Sequence, residues 1–311
     1  MKALITGGAG FIGSHLSDAL IDKNFEVFII DNLSTGKEQN INKRAEFFLC
    51  DIRDKKKVFE IFKKVKPEIV FHLAAQPSVP MSIEKPIYDV EVNIIGGLNV
   101  LEAALFFGVK KFIFSSTGGA IYGEVEEGKK AKENWSLNPE SIYGSSKAHF
   151  ENCLKVLANG KMEYVILRFA NVYGPRQDPF GEAGVVAIFC NSILKNEPIK
   201  INAKKEKGDD GCIRDYIYVE DVVSACLLSI DLKSDIYNVG TGKERNTKQV
   251  YEEITKFVKS KSEVIYNVKR FGDLERNVLD VEKLQSFAWS IKNSFSEGIK
   301  KTIAWFKNEK K

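Results

Sequence analysis

Lys2-Ala3-Leu4-Ile5-Thr6-Gly7-Gly8-Ala9-Gly10-Phe11-Ile12-Gly13 decides the fold. A short apolar run is followed at once by Gly7-x-x-Gly10-x-x-Gly13, and from Phe11 to Ile21 the apolar residues fall at helical spacing. Strand, glycine turn and helix in that order open a βαβ unit that cradles a dinucleotide. The glycines allow a tight turn and close backbone approach, and the helix start offers unpaired N–H groups to a pyrophosphate. Elsewhere in a chain the same triplet would read as a plain glycine turn. Here the flanking elements supply the context that the mechanism needs.

Outward from this unit the pattern repeats. Strands are expected at Glu26–Ile30, Glu46–Leu49, Glu68–Leu73, Lys111–Ser115 and Tyr164–Arg168. Helices are expected near 54–65, 88–107 and 145–157. Strand and helix in alternation imply parallel pairing, right-handed crossovers and helices on both faces, so the fold class is α/β with a doubly wound parallel sheet. Beyond about Asn171 the pattern loosens into turn signals at Gly174-Pro175 and Asp178–Gly181. Short strands (213–219, 236–239) and helices (221–228, 247–258) follow. The organisation expected is a dinucleotide-binding domain over 1–170 and a smaller α/β lobe over 171–311, with chain segments crossing between the two.

The chain has 311 residues, of which 44% are hydrophobic and 28% charged, enough for a full core at an ordinary globular charge level. The net charge of +4 is concentrated near the end, in Lys300, Lys301, Lys307, Lys310 and Lys311. No clustered basic stripe marks a nucleic-acid surface. The longest uncharged runs fall short of the ~20 residues of a membrane span. A strand starting at Lys2 leaves no room for a signal peptide. Five scattered Cys without a CxxC pair point to free thiols in a reducing cytoplasm, with neither disulfides nor a metal site.

Asp31 ends the second strand, 18 residues beyond Gly13, where a carboxylate can hold both hydroxyls of an adenosine ribose. It would repel a 2′-phosphate, so NAD is favoured over NADP. Asp51, after the third strand, either accepts from the adenine amino group or caps the next helix. Tyr143-Gly144-Ser145-Ser146-Lys147 is Tyr-x-x-x-Lys, whose ends share a helix face. A free phenol titrates near ~10, and a neighbouring ammonium favours the phenolate, so this Tyr can take and return a proton near neutral pH. Ser115-Ser116-Thr117 closes the fifth strand and offers hydroxyls to the same substrate oxygen. His15, His72 and His149 show neither triad nor ligand spacing and read as structural.

With these residues in view, the chain resembles the extended short-chain dehydrogenase/reductases, and among them the nucleotide-sugar epimerases of the UDP-glucose 4-epimerase type. The resemblance runs nearly end to end. It is carried by Thr6–His15, Asp31–Gly36, Asp51–Asp54, His72–Val79, Phe114–Gly123, the Tyr143/Lys147 pair, Arg168–Asp178, Arg214–Asp221 and Arg270–Asp273. It implies a Rossmann sheet and NAD as a cofactor that stays bound. Gly7, Gly10, Phe11, Ile12 and Gly13 would meet the pyrophosphate. Asp31, Asn32, Leu33, Ser34, Thr35 and Gly36 would surround the adenosine ribose, and Asp51 with Ile52 the adenine. Leu73, Ala74, Ala75, Gln76, Asn93, Ser115 and Ala170 would lie along the cofactor. Thr117, Tyr143 and Lys147 match the catalytic residues. Asn171 and Arg214 would hold the substrate diphosphate, and Arg270 and Asp273 the nucleotide end.

The activity implied is epimerisation of UDP-glucose and UDP-galactose through a 4-keto intermediate. A homodimer is implied as well, through the helix over 88–107 and the Tyr–Lys helix. The resemblance also implies that Asn277 lies beside the sugar 2-position, where a small residue opens the pocket to N-acetylated sugars. Two departures stand out. Thr117 is followed by Gly118-Gly119 rather than directly by Ala, so Ser116 and Thr117 both remain candidates for the catalytic hydroxyl. The run 203–211 is longer than the usual glycine turn and reads as a flexible loop. A 4,6-dehydratase would need an acid and a base after the Thr, where glycines stand. A non-catalytic NAD-binding sensor would usually lack the Tyr or the Lys.

Overall fold

The computed structural model describes residues 1–180, 184–270 and 272–308. Gly181 of the expected turn, Phe271, and Lys310 and Lys311 of the basic tail lie outside the described residues. The chain forms two compact units. The first comprises Met1–Thr117, Ser141–Arg168 and Val223–Tyr237, and the second Gly118–Glu140, Phe169–Val222 and Asn238–Lys311. No single cut near residue 170 separates them.

The first unit is built on β1 (Lys2–Thr6), β2 (Glu26–Asp31), β3 (Glu46–Leu49), β4 (Ile69–His72), β5 (Lys111–Thr117) and β6 (Glu163–Phe169). The near-continuous apolar runs of the inner strands are those of strands covered on both faces, whereas the edge strand β3 is partly exposed. Ala3, Leu4, Ile5, Val70 and Phe112 are all fully buried. Helices α1 (Phe11–Asp22), α2 (Lys55–Val65), α3 (Val79–Glu84), α4 (Pro86–Val90) and α5 (Gly97–Phe106) connect the strands. In α2, Val58, Ile61, Phe62 and Val65 form the inward stripe, and Asp54 caps the start by accepting from the Lys57 amide.

Two features depart from the reading of the sequence. The helix expected over 88–107 is interrupted at Glu91–Gly96 by a π-helical segment between α4 and α5. Such widened turns re-aim side chains, and this one contains the buried Asn93. The second departure is β10 (Asp235–Val239), read as part of the lobe, which joins the large sheet. The order is β10-β6-β5-β4-β1-β2-β3. From β1 the chain steps outward through β2 and β3, then returns to the other side of β1 as β4. That reversal is the switch point where open α/β sheets bind ligands.

Between β5 and β6, after the short α6 (Gly118–Ile121), runs α7 (Ile142–Ala158). It begins earlier than the spacing suggested because Ser141 caps it, accepting from the Gly144 amide at 3.1 Å. In the second unit, β7 (Asn171–Tyr173), β9 (Ile213–Tyr218), β11 (Glu244–Asn246) and β13 (Arg276–Asn277) form one sheet around β9, and β8 (Ile199–Asn202) pairs with β12 (Val264–Asn267).

Candidate active site

Gly7 turns the chain after β1 with φ +74°, and a Cβ there would lie 2.7 Å from the Ala74 amide nitrogen. A Cβ on Gly13 would strike the Gly7 carbonyl. The first turn of α1 has no side-chain cap and no acidic residue, so its amides stay open to an anion. Asp31 is buried. Its carboxylate accepts from the Ala9 amide at 3.0 Å and the Leu33 amide at 2.8 Å. Burial pushes its pKa up, and these amides, with that of Asn32, pull it back. Open glycine backbone, an uncapped helix start and a buried carboxylate fit a dinucleotide.

Asp51 does not cap α2, a place taken by Asp54. Instead it binds the Arg53 guanidinium at 2.8 and 3.0 Å and accepts from the Asn32 amide group at 3.0 Å. Arg53 holds its carboxyl down at about 2. Arg53 also lies over Tyr88 and reaches Glu91, so its charge is committed.

Gln76 and Asn93 are bound to each other. The Gln76 amide donates to Asn93 Oδ1 at 2.9 Å, and Asn93 Nδ2 donates to the Gln76 carbonyl at 3.0 Å. Both side chains also donate to Asp89 Oδ2, while the Ser146 hydroxyl donates to Asp89 Oδ1 at 2.6 Å. Asp89 is completely buried and ties α4 to α7. Neither Asp89 nor Ser146 was singled out from the sequence. The available signal was a polar residue at an inward position of an amphipathic helix.

The buried stripe of α7 includes Gly144, Lys147, Phe150, Glu151, Leu154 and Ala158. Lys147 is 3% exposed. Its ammonium donates to the Ser115 carbonyl at 2.8 Å and lies 4.8 Å from the Phe114 ring centroid and 5.9 Å from that of Tyr143. Burial pushes its pKa down to about 8, against the pull of Asp89 and Glu151. His72 sits among Phe112, Phe114 and Phe150 with Nδ1 2.7 Å from the Thr6 hydroxyl. Burial, then the Lys147 charge, lowers it to about 3, so it stays neutral beside the lysine.

The Ser116 hydroxyl points inward and donates to Glu151 Oε1 at 2.6 Å. Thr117 closes β5. A Cβ on Gly118 would come within 2.5 Å of Leu279 Cδ1, so a side chain at the position after the threonine would have to displace Leu279.

In the second unit, Asn171, Arg214 and Asn277 share one sheet: Asn277 pairs with Arg214 and Asn171 with Tyr216. The Arg214 guanidinium donates to the Ile213 and Leu274 carbonyls at 2.8 and 2.7 Å. Asn277 is 1% exposed, with Nδ2 3.4 Å from the Gly123 carbonyl and Oδ1 buried without a hydrogen-bond partner. Arg270 and Asp273 form an exposed bidentate pair at 2.8 and 3.2 Å. Ala170 also belongs to this unit, where its amide donates to the Val239 carbonyl. The run 203–211, read as flexible, is tied together by Asp209, whose carboxylate accepts from the amides of Lys204, Lys205, Glu206 and Gly211. Among the described residues no cluster of three or more His, Cys, Asp or Glu could hold a metal ion, and no helix is long and apolar enough to cross a membrane.

A nucleotide-binding α/β fold with a Tyr–Lys pair at a strand end defines the class, and residues 3–240 match the NAD dependent epimerase/dehydratase family. The chain belongs to that family. It is similar to the UDP-glucose 4-epimerase of Thermus thermophilus, solved in complex with NAD (49% identity, 99% of each chain covered, TM-score 0.97). The UDP-glucose 4-epimerase of Thermotoga maritima, solved with UDP-glucose, is 43% identical over 100% of both chains with a TM-score of 0.95. A UDP-N-acetylglucosamine 4-epimerase from Methanobrevibacter ruminantium, in complex with UDP-N-acetylmuramic acid, is 35% identical, covers 99% of this chain and 98% of its own, and has a TM-score of 0.90.

Proposed function

We propose that this chain is an NAD-dependent UDP-sugar 4-epimerase acting on UDP-glucose and UDP-galactose through a 4-keto sugar. The observation that carries the chemistry is the buried Lys147 ammonium beside Tyr143, on the face of α7 that meets the end of β5. Bound NAD would supply reversible hydride transfer at the sugar C4. Gly7, Gly10, Gly13 and the start of α1 would hold its pyrophosphate, Asp31 its adenosine ribose, and Asp51 with Asn32 the adenine side.

Lys147 favours the phenolate of Tyr143, which takes the proton of the sugar 4-hydroxyl and gives it back after hydride return. Thr117 is the hydroxyl that orients that oxygen, because Ser116 is committed to Glu151. Arg214 and Asn171 hold the diphosphate, and Arg270 with Asp273 the nucleotide end. Incubation with UDP-glucose, with products resolved by chromatography, tests the assignment. UDP-galactose is expected, and a stable 4-keto-6-deoxy product would replace the reading by a dehydratase.

Asn277 supports a wider sugar pocket. Its buried Oδ1 lacks a partner, and an amide can both donate to and accept from an acetamido group. UDP-N-acetylglucosamine is therefore an expected second substrate.

The homodimer rests on exposed apolar residues of the α4–α5 region and α7, where Ile87 is 71%, Ile95 49% and Val156 75% exposed. A dimer mass in solution at micromolar concentration is expected. Five free thiols, four of them buried, accord with a reducing cytoplasm.

A further inference from the structure

The inward stripe of α7 carries two charges where a helix normally buries apolar groups: Lys147 and, one turn later, Glu151. Glu151 is completely buried. It accepts from the Ser116 hydroxyl at 2.6 Å and from the Arg168 guanidinium at 2.9 and 2.6 Å. Ser116 lies near the end of β5, and Arg168 near the end of the neighbouring β6. One carboxylate therefore fastens the helix to two adjacent strand ends. The end of β5 is used residue by residue. The Ser115 carbonyl holds Lys147, the Ser116 hydroxyl holds Glu151, and Thr117 follows.

We propose that Glu151 is a positioning residue for the epimerisation: its grip on Ser116 and Arg168 sets the angle at which Tyr143 and Lys147 meet Thr117. This rests on the function proposed above. A merely structural ion pair is the competing account. Buried pairs can often be exchanged for apolar groups of similar volume with little loss of stability, so stability alone is a weak reason to bury two full charges here.

The groups around Lys147 come from several elements: Asp89 from α4, Tyr143 and Glu151 from α7, neutral His72 from β4 and the Phe114 ring from β5. Arg168 from β6 faces Glu151. Asp89 and Glu151 are the two negative charges that oppose the effect of burial on the ammonium. Removing the charge of Glu151 weakens that opposition, and Lys147 then loses its proton at lower pH.

The test uses NAD-loaded enzyme and three variants: Glu151→Gln, Ser116→Ala and the double replacement Glu151→Leu with Arg168→Met. Thermal midpoint, retained NAD, kcat and KM for UDP-glucose, and the Lys147 titration followed by NMR of labelled lysine are measured. Glu151→Gln is expected to lower kcat at least tenfold with KM little changed. The Lys147 titration and the alkaline limb of activity should move down together by roughly one pH unit. Ser116→Ala should lower kcat by a few fold without moving the titration. The double variant should fold and retain NAD, yet lose at least tenfold in kcat. A folded double variant with wild-type kcat and pH profile overturns the proposal, as does a Glu151→Gln enzyme whose folded fraction has wild-type kcat and an unmoved titration. Absence of turnover by the wild type with any UDP-sugar instead overturns the assigned reaction, and the positioning role with it.

Discussion

Lys147 in the first unit and Arg214 in the second are both cations resting on backbone carbonyls, but their surroundings differ. Lys147 is buried, and burial lowers its pKa to about 8 against the opposing charges of two buried carboxylates. Arg214 is half-buried at a strand position beside Asn277 and presents a planar fork of hydrogen-bond donors. A lysine can be tuned by burial; an arginine cannot. The first unit thus holds groups whose protonation can be set for chemistry. The second holds groups of fixed charge and shape suited to binding. Loss of a tuned group should strike turnover, and loss of a fixed one affinity or selectivity.

The largest break in that contrast is expected from Tyr143→Phe, which removes the proton relay. Turnover should fall by roughly 10³-fold or more while NAD stays bound, checked by kcat and by cofactor absorbance of the purified protein. Retention of full activity with every UDP-sugar would end the mechanism. Next comes Asn277→Tyr, which would fill the space proposed to lie beside the sugar 2-position. Activity on UDP-N-acetylglucosamine should fall by about 100-fold or more while UDP-glucose activity survives, by the order of effects expected when a pocket is closed to one substrate. If the wild type shows no N-acetyl turnover at millimolar substrate, the open-pocket reading fails.

Arg214→Ala should raise KM for UDP-glucose by roughly 10- to 100-fold with a smaller change in kcat, the scale of losing one or two charge-assisted hydrogen bonds. A fall in kcat with KM unchanged would place Arg214 in the chemistry instead. A smaller effect is the alkaline limb. As pH rises through about 8 the Lys147 ammonium is lost, so kcat should decline there, and a flat profile to pH 10 would show that the ammonium is not required.

The smallest effect concerns Asp51, whose carboxyl Arg53 holds down at about 2. A depressed folded pKa contributes stability above the unfolded value near 4 that is lost as pH falls toward 2. Asp51→Asn should therefore lower the thermal midpoint by a few degrees or less at pH 6 and leave it unchanged near pH 2. An equal loss at both pH values would trace the effect to shape rather than charge.

The first unit was largely legible because its signals are local. The glycine triplet, the apolar runs, Asp31 at the end of β2 and the Tyr143/Lys147 spacing each depend on residues a few positions apart, and local backbone geometry reads them directly. The nucleotide-sugar assignment came from the ordered series of motifs along the chain. What the sequence could not decide was set by partners distant along the chain. The one local exception is Asp51, which does not cap the helix because Asp54 stands nearer the helix start and Arg53 turns back to Asp51. The Ser116 hydroxyl is turned inward by Glu151, 35 residues away. Strand β10 joined the large sheet because strand pairing is a long-range choice that a short apolar run does not specify. Periodicity identifies which residues turn inward. Which buried charge meets which partner emerges only when the strands stack side by side, because a carboxylate such as Asp89 or Glu151 can be buried only where three-dimensional packing brings donors to it.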